Sequence, residues 1–480
     1  LGAFVHYAKH KGEVVNMSLT LLEQHQHAID QISAYRVEGK VSAVKGLLAE
    51  CVGLNAHVKV GSRCRVQRHN ATDVITEVVG FQENKALLMP FHSLEGVGAG
   101  ARVTMLASDA SIRPCNAWLG RVVDALGEPI DDGPPLAAGE RDYLLRGTPP
   151  LAHKRQRVGA KLDLGVKSIN SFLTTCSGQR MGIFAGSGVG KSILLSMLAR
   201  YAQADVNVIG LIGERSREVQ EFIQDDLGEE GLKRSVLVVA TSSESALMRR
   251  QAAYMTMAIA EYFRGAGKQV LCLMDSVTRF AMAQREIGLS AGEPPTTKGY
   301  TPSVFSELPM LLERAGPGEA GEGSMTGLFS VLVEGDDDNE PISDAVRGIL
   351  DGHIVLSRAI AQRGRYPSID ILKSVSRMMP DCNDEAENAL VQQARSVIAT
   401  YEDMAEMIRL GAYRRGSDRE VDRAMELYPK IEAYIRQRLE ESMDLEESYD
   451  GLAAAMGYEN WRNLLGGQAR SDALKKGDDA

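Results

Sequence analysis

Near the middle of the chain, Ala185-Gly186-Ser187-Gly188-Val189-Gly190-Lys191-Ser192 sets three glycines in front of a lysine and a hydroxyl. Small residues let backbone N–H groups turn inward and approach a ligand closely. The preceding Met181-Gly182-Ile183-Phe184 reads as a buried strand, and Lys191-Ser192 opens a helix whose amino terminus adds partial positive charge. Such a cradle suits a chain of phosphates. Lys191 would reach the β- and γ-phosphates of ATP, the Ser192 hydroxyl would bind Mg²⁺, and Gly186, Ser187, Gly188, Val189 and Gly190 would line the phosphates. The strict spacing asks for glycine at position 185; the alanine found there is acceptable where its φ stays negative.

Magnesium needs a further acid, and the apolar run Val270-Leu271-Cys272-Leu273-Met274 delivers Asp275 at its carboxyl end. The next residue is Ser276, so the acid that activates water must come from another strand end. Glu214 meets that need, because Gly213-Glu214-Arg215 directly follows the apolar run Val206–Ile212. Its expected role is to orient and polarise the attacking water. Charge developing on the transferred phosphoryl group calls for a cation, and Arg215, Arg279 and Arg377 stand near strand ends. Arginine suits the task because its planar fork contacts two oxygens at once.

These residues need a scaffold. From 159 to 377 the strand-like runs Met181–Ala185, Val206–Ile212, Val236–Ala240, Val270–Met274, Gly327–Val333 and His353–Leu356 alternate with helical patterns such as Ser192–Tyr201 and Ala246–Arg264. That alternation predicts an α/β fold with a mostly parallel sheet covered on both faces and ligands at the strands' carboxyl ends. Between 39 and 106, short runs such as Val58-Lys59-Val60, Cys64-Arg65-Val66 and Val74–Val79 predict a small β-barrel. A Pro- and Gly-rich stretch from Gly127 to Pro150 reads as a connection, and Gly316–Gly323 reads as a flexible loop. Leu390, Ala394, Val397, Tyr401, Met404 and Ile408 mark a helix with one buried stripe, and a second helical pattern over 418–441 is interrupted by Pro429. Beyond Ser442 the chain reads as polar, weakly patterned and frayed at its end.

At the other end, Thr20 and Glu23 have capping-box spacing, so 18–35 reads as a short helix that either packs on its own domain or binds a partner. Met17 precedes that signal and Leu1 is not methionine, so 1–16 is expected to be dispensable. The resulting division is 1–37 partner-binding segment, 38–108 barrel, 109–377 nucleotide domain, 378–441 helical domain and 442–480 extension.

Composition narrows the partners. The 480 residues carry a net charge of −10, against wholesale nucleic-acid binding, which needs clustered Lys and Arg. Six scattered cysteines without a C-x-x-C pair fit free thiols in a reducing compartment, and the cytoplasm is the expected address.

Together the motifs resemble the rotary ATPases: the catalytic subunits of F-type and V-type enzymes and their secretion relatives. Gly213-Glu214-Arg215-Ser216-Arg217-Glu218 is similar to that family's catalytic-glutamate motif. Tyr366-Pro367-Ser368-Ile369-Asp370 and Ser374-Val375-Ser376-Arg377 are similar to its adenine-stacking tyrosine and its arginine finger. The stretches 292–305, 333–337 and 349–358 resemble the type III export ATPases, and Lys373–Pro380 resembles their flagellar branch. The resemblance implies a RecA-like phosphate-loop core with an amino-terminal β-barrel and a carboxyl-terminal helical domain. It also implies a Mg²⁺-dependent ATPase, a homohexamer at the cytoplasmic face of the inner membrane under an export gate, with export substrates and chaperones as clients. A stator-like regulator on the amino-terminal helix and a coiled-coil stalk protein in the central pore complete the implied partners. The rivals are a virulence-type secretion ATPase, an ATP synthase catalytic subunit, an RNA-translocating hexamer and a non-catalytic nucleotide-holding subunit. The barrel segment's two aromatics, Phe81 and Phe91, and the acidic charge speak against RNA, and Glu214 speaks against a silent subunit. Glu334-Gly335-Asp336-Asp337-Asp338 reads as a solvated acidic turn rather than a cation site.

Overall fold

A computed structural model describes residues 36–69, 71–333 and 340–463. The amino-terminal helix signal, the leader expected to be dispensable, the acidic segment expected as a turn after Val333 and the last residues lie outside them. The rest divides into two compact units, one up to Met89 with Ser93–Ser108, the other Pro90–His92 with everything from Asp109.

The first unit is a closed barrel of β1 (Glu38–Lys45), β2 (Leu48–Val52), β3 (Arg63–Val66), β4 (Val74–Gln82), β5 (Lys85–Pro90) and β6 (Arg102–Ala107). Their order around the barrel is β1-β2-β5-β4-β3-β6, and closure leaves no strand edge unpaired. Val41, Ala49, Leu54, Val66, Val78, Leu88 and Val103 point inward as its core. Val58–Val60, expected as a strand, is instead a turn: the N–H groups of His57 and Val58 donate to the Leu54 carbonyl, and that of Lys59 to the Ser62 hydroxyl. Local side-chain and turn bonds there outcompete ladder pairing.

The second unit is built on β7 (Val122–Asp124), β8 (Arg180–Ala185), β9 (Val206–Ile212), β10 (Ser235–Ala240), β11 (Gln269–Asp275), β12 (Ser324–Leu332), β13 (Gly352–Leu356) and β14 (Ile369–Ser376). They lie in the order β14-β13-β8-β12-β11-β9-β10-β7. All neighbours are parallel except β14, which runs antiparallel to β13. The central strands are buried almost end to end, which is why they read as unbroken apolar runs. β7 begins the sheet just ahead of the Pro- and Gly-rich stretch, at Val122–Asp124, where no strand was expected. Gly316–Gly323 is a hairpin rather than a loose loop, because Gly316-Pro317 pairs with Ser324-Met325 and the Gly318 N–H donates to the Gly323 carbonyl.

The helices cover this sheet and extend its core. α1 (Lys191–Tyr201), α2 (Ala246–Gly265), α3 (Val277–Ala291), α4 (Pro302–Leu312) and α5 (Pro341–Ile349) follow strands or their loops. α6 (Glu385–Arg409), α7 (Arg419–Ile435) and α8 (Leu445–Ala455) form the carboxyl-terminal part. α7 runs through Pro429 without interruption. Its buried stripe, Val421, Ala424, Leu427, Ile431 and Ile435, outweighs the roughly 3 kcal/mol cost of an interior proline. α8 corrects the reading of the chain beyond Ser442 as weakly patterned. Asp444 and Glu447 cap it reciprocally, and Tyr449, Leu452 and Trp461 join the same hydrophobic cluster as Leu195, Leu390 and Ile431. The six cysteines are all free thiols. No helix of the described residues is long and apolar enough to cross a membrane.

Candidate active site

The phosphate loop leaves β8 at Ala185, a residue that closes the strand in register with both Leu332 and Leu356. Its φ is not positive, so the methyl group brings no backbone strain. The glycines that follow are needed for their conformation. Gly188 and Gly190 sit at φ +74° and +90°, and a Cβ on Gly190 would come within 3.2 Å of the Tyr366 ring. The Ser368 hydroxyl donates to the Val189 carbonyl at 2.6 Å, so the Tyr366–Ser368 segment and the loop hold one another.

Two neighbouring strands bring their acids to the same place. Glu214 follows β9 and Asp275 ends β11, adjacent parallel strands in register. The backbone of Glu214 is fixed because the Gly213 N–H donates to the Ala240 carbonyl and the Ser242 N–H to the Glu214 carbonyl. Lys191 Nζ stands between the carboxylates, 3.1 Å from Glu214 Oε1 and in contact with Asp275, which also accepts from the Ser330 hydroxyl. Burial disfavours the charge on Lys191, but Asp275 and Glu214 outweigh it and its pKa is raised. Burial and then the Asp275 charge push the Glu214 carboxyl above the ordinary carboxylate value, although Lys191 pulls the other way. A glutamate tuned upward beside a phosphate loop is the stronger base for it.

Lys191 and Glu214 face a cavity of about 790 Å³, lined by Gly186, Ser187, Gly188, Gly190, Lys191 and Ser192 on one side and Glu214, Arg215, Arg279 and Tyr366 on the other; Asp275, 5% exposed, is not in that lining. Val189 is buried behind the loop, at 1% exposure. Arg279 is half-buried, and its Nε is buried with no hydrogen-bond partner among the described residues. Arg215 lies at the rim with a side chain 81% exposed, paired only to Glu218 at 3.4 Å. Sequence reasoning did not single out Glu218, Ser242, Ser276 or Arg358 as cavity residues, or Ser330 as a partner of Asp275. Their types carry no signal of their own; only the strand order brings them here.

Arg377 is not among the cavity residues. Because β14 is antiparallel, Ser376 pairs with Gly352 at the amino end of β13, and the Arg377 N–H donates to the Asp351 carbonyl. The phosphate loop leaves the opposite end of β8, whose six residues put about 20 Å between them at ~3.3 Å each. An arginine side chain cannot span that distance.

Among the described residues no three His, Cys, Asp or Glu side chains converge as a metal site. Ser192 and Asp275 are nevertheless hard oxygen donors of the number Mg²⁺ takes from protein when phosphates and water supply the rest.

Against known families, the nucleotide-binding domain of the ATP synthase alpha/beta family matches residues 165–376 and its beta-barrel domain 34–106. The T3SS EscN ATPase C-terminal domain matches 383–454. The flagellum-specific ATP synthase of Caulobacter vibrioides is 58% identical over 427 residues, 88% of this chain and 96% of that protein. Its counterpart in Bacillus subtilis is 48% identical, over 90% of this chain and 98% of that protein, and a type 3 secretion system ATPase of Xanthomonas euvesicatoria is 46% identical, over 83% and 89%. Among solved structures, the assembled ATPase EscN of the enteropathogenic E. coli type III secretion system superposes with a TM-score of 0.81 at 39% identity, covering 87% of this chain and all of that one. EscN in complex with its central stalk EscO gives 0.79, with the same coverage and identity.

Proposed function

Since the chain belongs to the ATP synthase alpha/beta family, among its flagellum-specific and type III secretion ATPases, we propose that it hydrolyses ATP to energise type III protein export for flagellum assembly. The flagellar over the virulence reading is supported by identity, 58% to the Caulobacter relative against 46% to the Xanthomonas one. One observation carries the chemistry: Lys191 at the mouth of a phosphate loop, held between two acids from adjacent strands.

In the ligand-free protein Glu214 and Asp275 share the single Lys191 ammonium as their counter-charge. Phosphate oxygens entering the cradle take over that ammonium, and both acids are released for their tasks. Glu214 then accepts a hydrogen bond from the attacking water and withdraws its proton, a contribution of roughly 10²–10⁴-fold. Ser192 and Asp275 would hold a Mg²⁺ ion and its waters, which would supply neutralisation of phosphate charge. Tyr366, 39% exposed against Gly190, would stack on adenine, and Arg279, in the cavity lining, would bring a cation to the phosphates. Arg377 lies too far from its own loop, so it serves the nucleotide of the next subunit, an arginine finger supplied in trans. Every chain then contributes Lys191, Glu214 and Asp275 to one site and Arg377 to another, as a homohexameric ring requires.

The remaining roles follow from that ring: a coiled-coil stalk protein in its pore, a stator-like regulator on the amino-terminal segment, and the export gate, substrates and chaperones at the cytoplasmic membrane face. The test is genetic and biochemical together. The chain should restore flagellin secretion to a strain lacking its flagellar export ATPase and release phosphate from ATP when purified. Full secretion by a variant with no measurable hydrolysis would remove the energising role.

A further inference from the structure

We infer that Gln179 is a positioning residue that fixes, from the foot of the phosphate-loop strand, the arginine this chain lends to its neighbour. The inference rests on the reading of Arg377 as a finger acting in trans. Gln179 immediately precedes β8 and is fully buried, at 0% exposure. Its amide is used on both sides: Oε1 accepts from the Cys176 N–H at 2.9 Å, while Nε2 donates to the Asp351 carbonyl at 3.2 Å and to the Ser376 hydroxyl at 3.0 Å. Asp351 is the residue whose carbonyl also accepts the Arg377 N–H at 2.9 Å, and Ser376 is the residue before Arg377. Arg180, the first residue of β8, completes the clamp with its backbone N–H and guanidinium, each within 3.1 Å of the Asp351 carboxylate.

One strand therefore carries this chain's own phosphate cradle at its carboxyl end and, at its amino end, the base of the arginine it lends to its neighbour. The Arg377 guanidinium is otherwise lightly held: it is exposed and donates to the Arg347 carbonyl at 3.3 Å. With so little holding the side chain, its aim depends on the backbone that Gln179 and Asp351 define. A shift of about 1 Å in a positioned group lowers turnover by as much as ~10²-fold.

Mixed rings separate this role from a merely structural one. The parent mixture combines Lys191→Ala chains, which still lend an arginine, with Arg377→Ala chains, which still bind ATP. Partial ATPase activity is expected at interfaces that pair the intact parts. Gln179→Met, close in volume but without the amide, is then added to one partner at a time. Placed on the Lys191→Ala chain, it should lower the recovered kcat by roughly tenfold with KM for ATP unchanged. Placed on the Arg377→Ala chain, whose arginine is already gone, it should leave the recovered activity as it was. Ser376→Ala, which removes one acceptor and is gentler on folding, should repeat the asymmetry at smaller size. Equal losses in both arms, or a loss confined to the Arg377→Ala arm, would overturn the inference while leaving the trans reading intact. No recovery in the parent mixture, with mixed rings confirmed by native mass measurement, would overturn both.

Discussion

Replacing Glu214 with glutamine keeps the side chain's size and removes its charge, at a site where the ionised form has a defined task. Loss of a general base lowers turnover by ~10²–10⁴-fold, about 3–5 kcal/mol on the barrier. Binding should move the other way. In the ligand-free protein the Lys191 ammonium has Glu214 Oε1 at 3.1 Å; a glutamine oxygen there still accepts but no longer carries the opposing charge, a loss of at most the roughly 1.5–3 kcal/mol of a hydrogen bond to a charged group. ATP restores a partner to the lysine, so nucleotide affinity should hold or tighten, by up to roughly tenfold. The pH profile supplies a second reading of the same atom. Burial and the Asp275 charge raise the Glu214 pKa, so the active ionised form disappears as pH falls through a value above the ordinary carboxylate range. The acid limb of kcat/KM should accordingly sit above that range in the native protein and vanish in the variant. Phosphate release across pH and titration with a fluorescent nucleotide measure both effects. Turnover within a few-fold of native, with the acid limb retained, would refute the assignment of Glu214 as base.

Three further outcomes follow from other contacts. Lys191→Ala leaves Glu214 and Asp275 facing each other without a counter-charge and removes the phosphate ligand, so it should weaken nucleotide binding itself, read in the same titration. Gly190→Ala forces a Cβ at φ +90° to within 3.2 Å of the Tyr366 ring; a cost of about 1–2 kcal/mol in the loop should appear as weaker ATP binding with the fold intact by circular dichroism. Leu452→Ala empties a fully buried site under α8 and should destabilise by about 2–5 kcal/mol, measured by urea unfolding with Trp461, stacked on Tyr449, as the fluorescent reporter.

Strand runs such as Val206–Ile212 were legible because both faces of that strand are buried, and the signal is then continuous and apolar. The phosphate loop was legible because its chemistry demands small residues at fixed spacing, and the family resemblance covered most of the chain. Strand order was not: nothing in the runs themselves says that β9 and β11 are neighbours, yet that adjacency alone sets Glu214 beside Asp275. Nor was α8, although the Asp444–Glu447 spacing is the same capping signal that was recognised at Thr20–Glu23. Its apolar stripe is short, and the polar residues around it masked the periodicity. Val58–Val60 failed in the opposite sense, β-branched residues drawn into a turn by hydrogen bonds that propensity does not encode.

The antiparallel course of β14 has a consequence for the protein's economy in the cell. A lone chain holds its nucleotide cradle and its arginine at opposite ends of the sheet, so the proposed finger in trans predicts that before assembly it binds ATP but hydrolyses it far more slowly than a ring. On that proposal hydrolysis is tied to stoichiometry: newly made or detached copies should not drain the nucleotide pool, and fast turnover should need a closed ring. Specific activity should therefore rise steeply with protein concentration and level off once rings are complete. A value that stays constant down to concentrations at which only single chains remain would show that the monomer is a working enzyme after all.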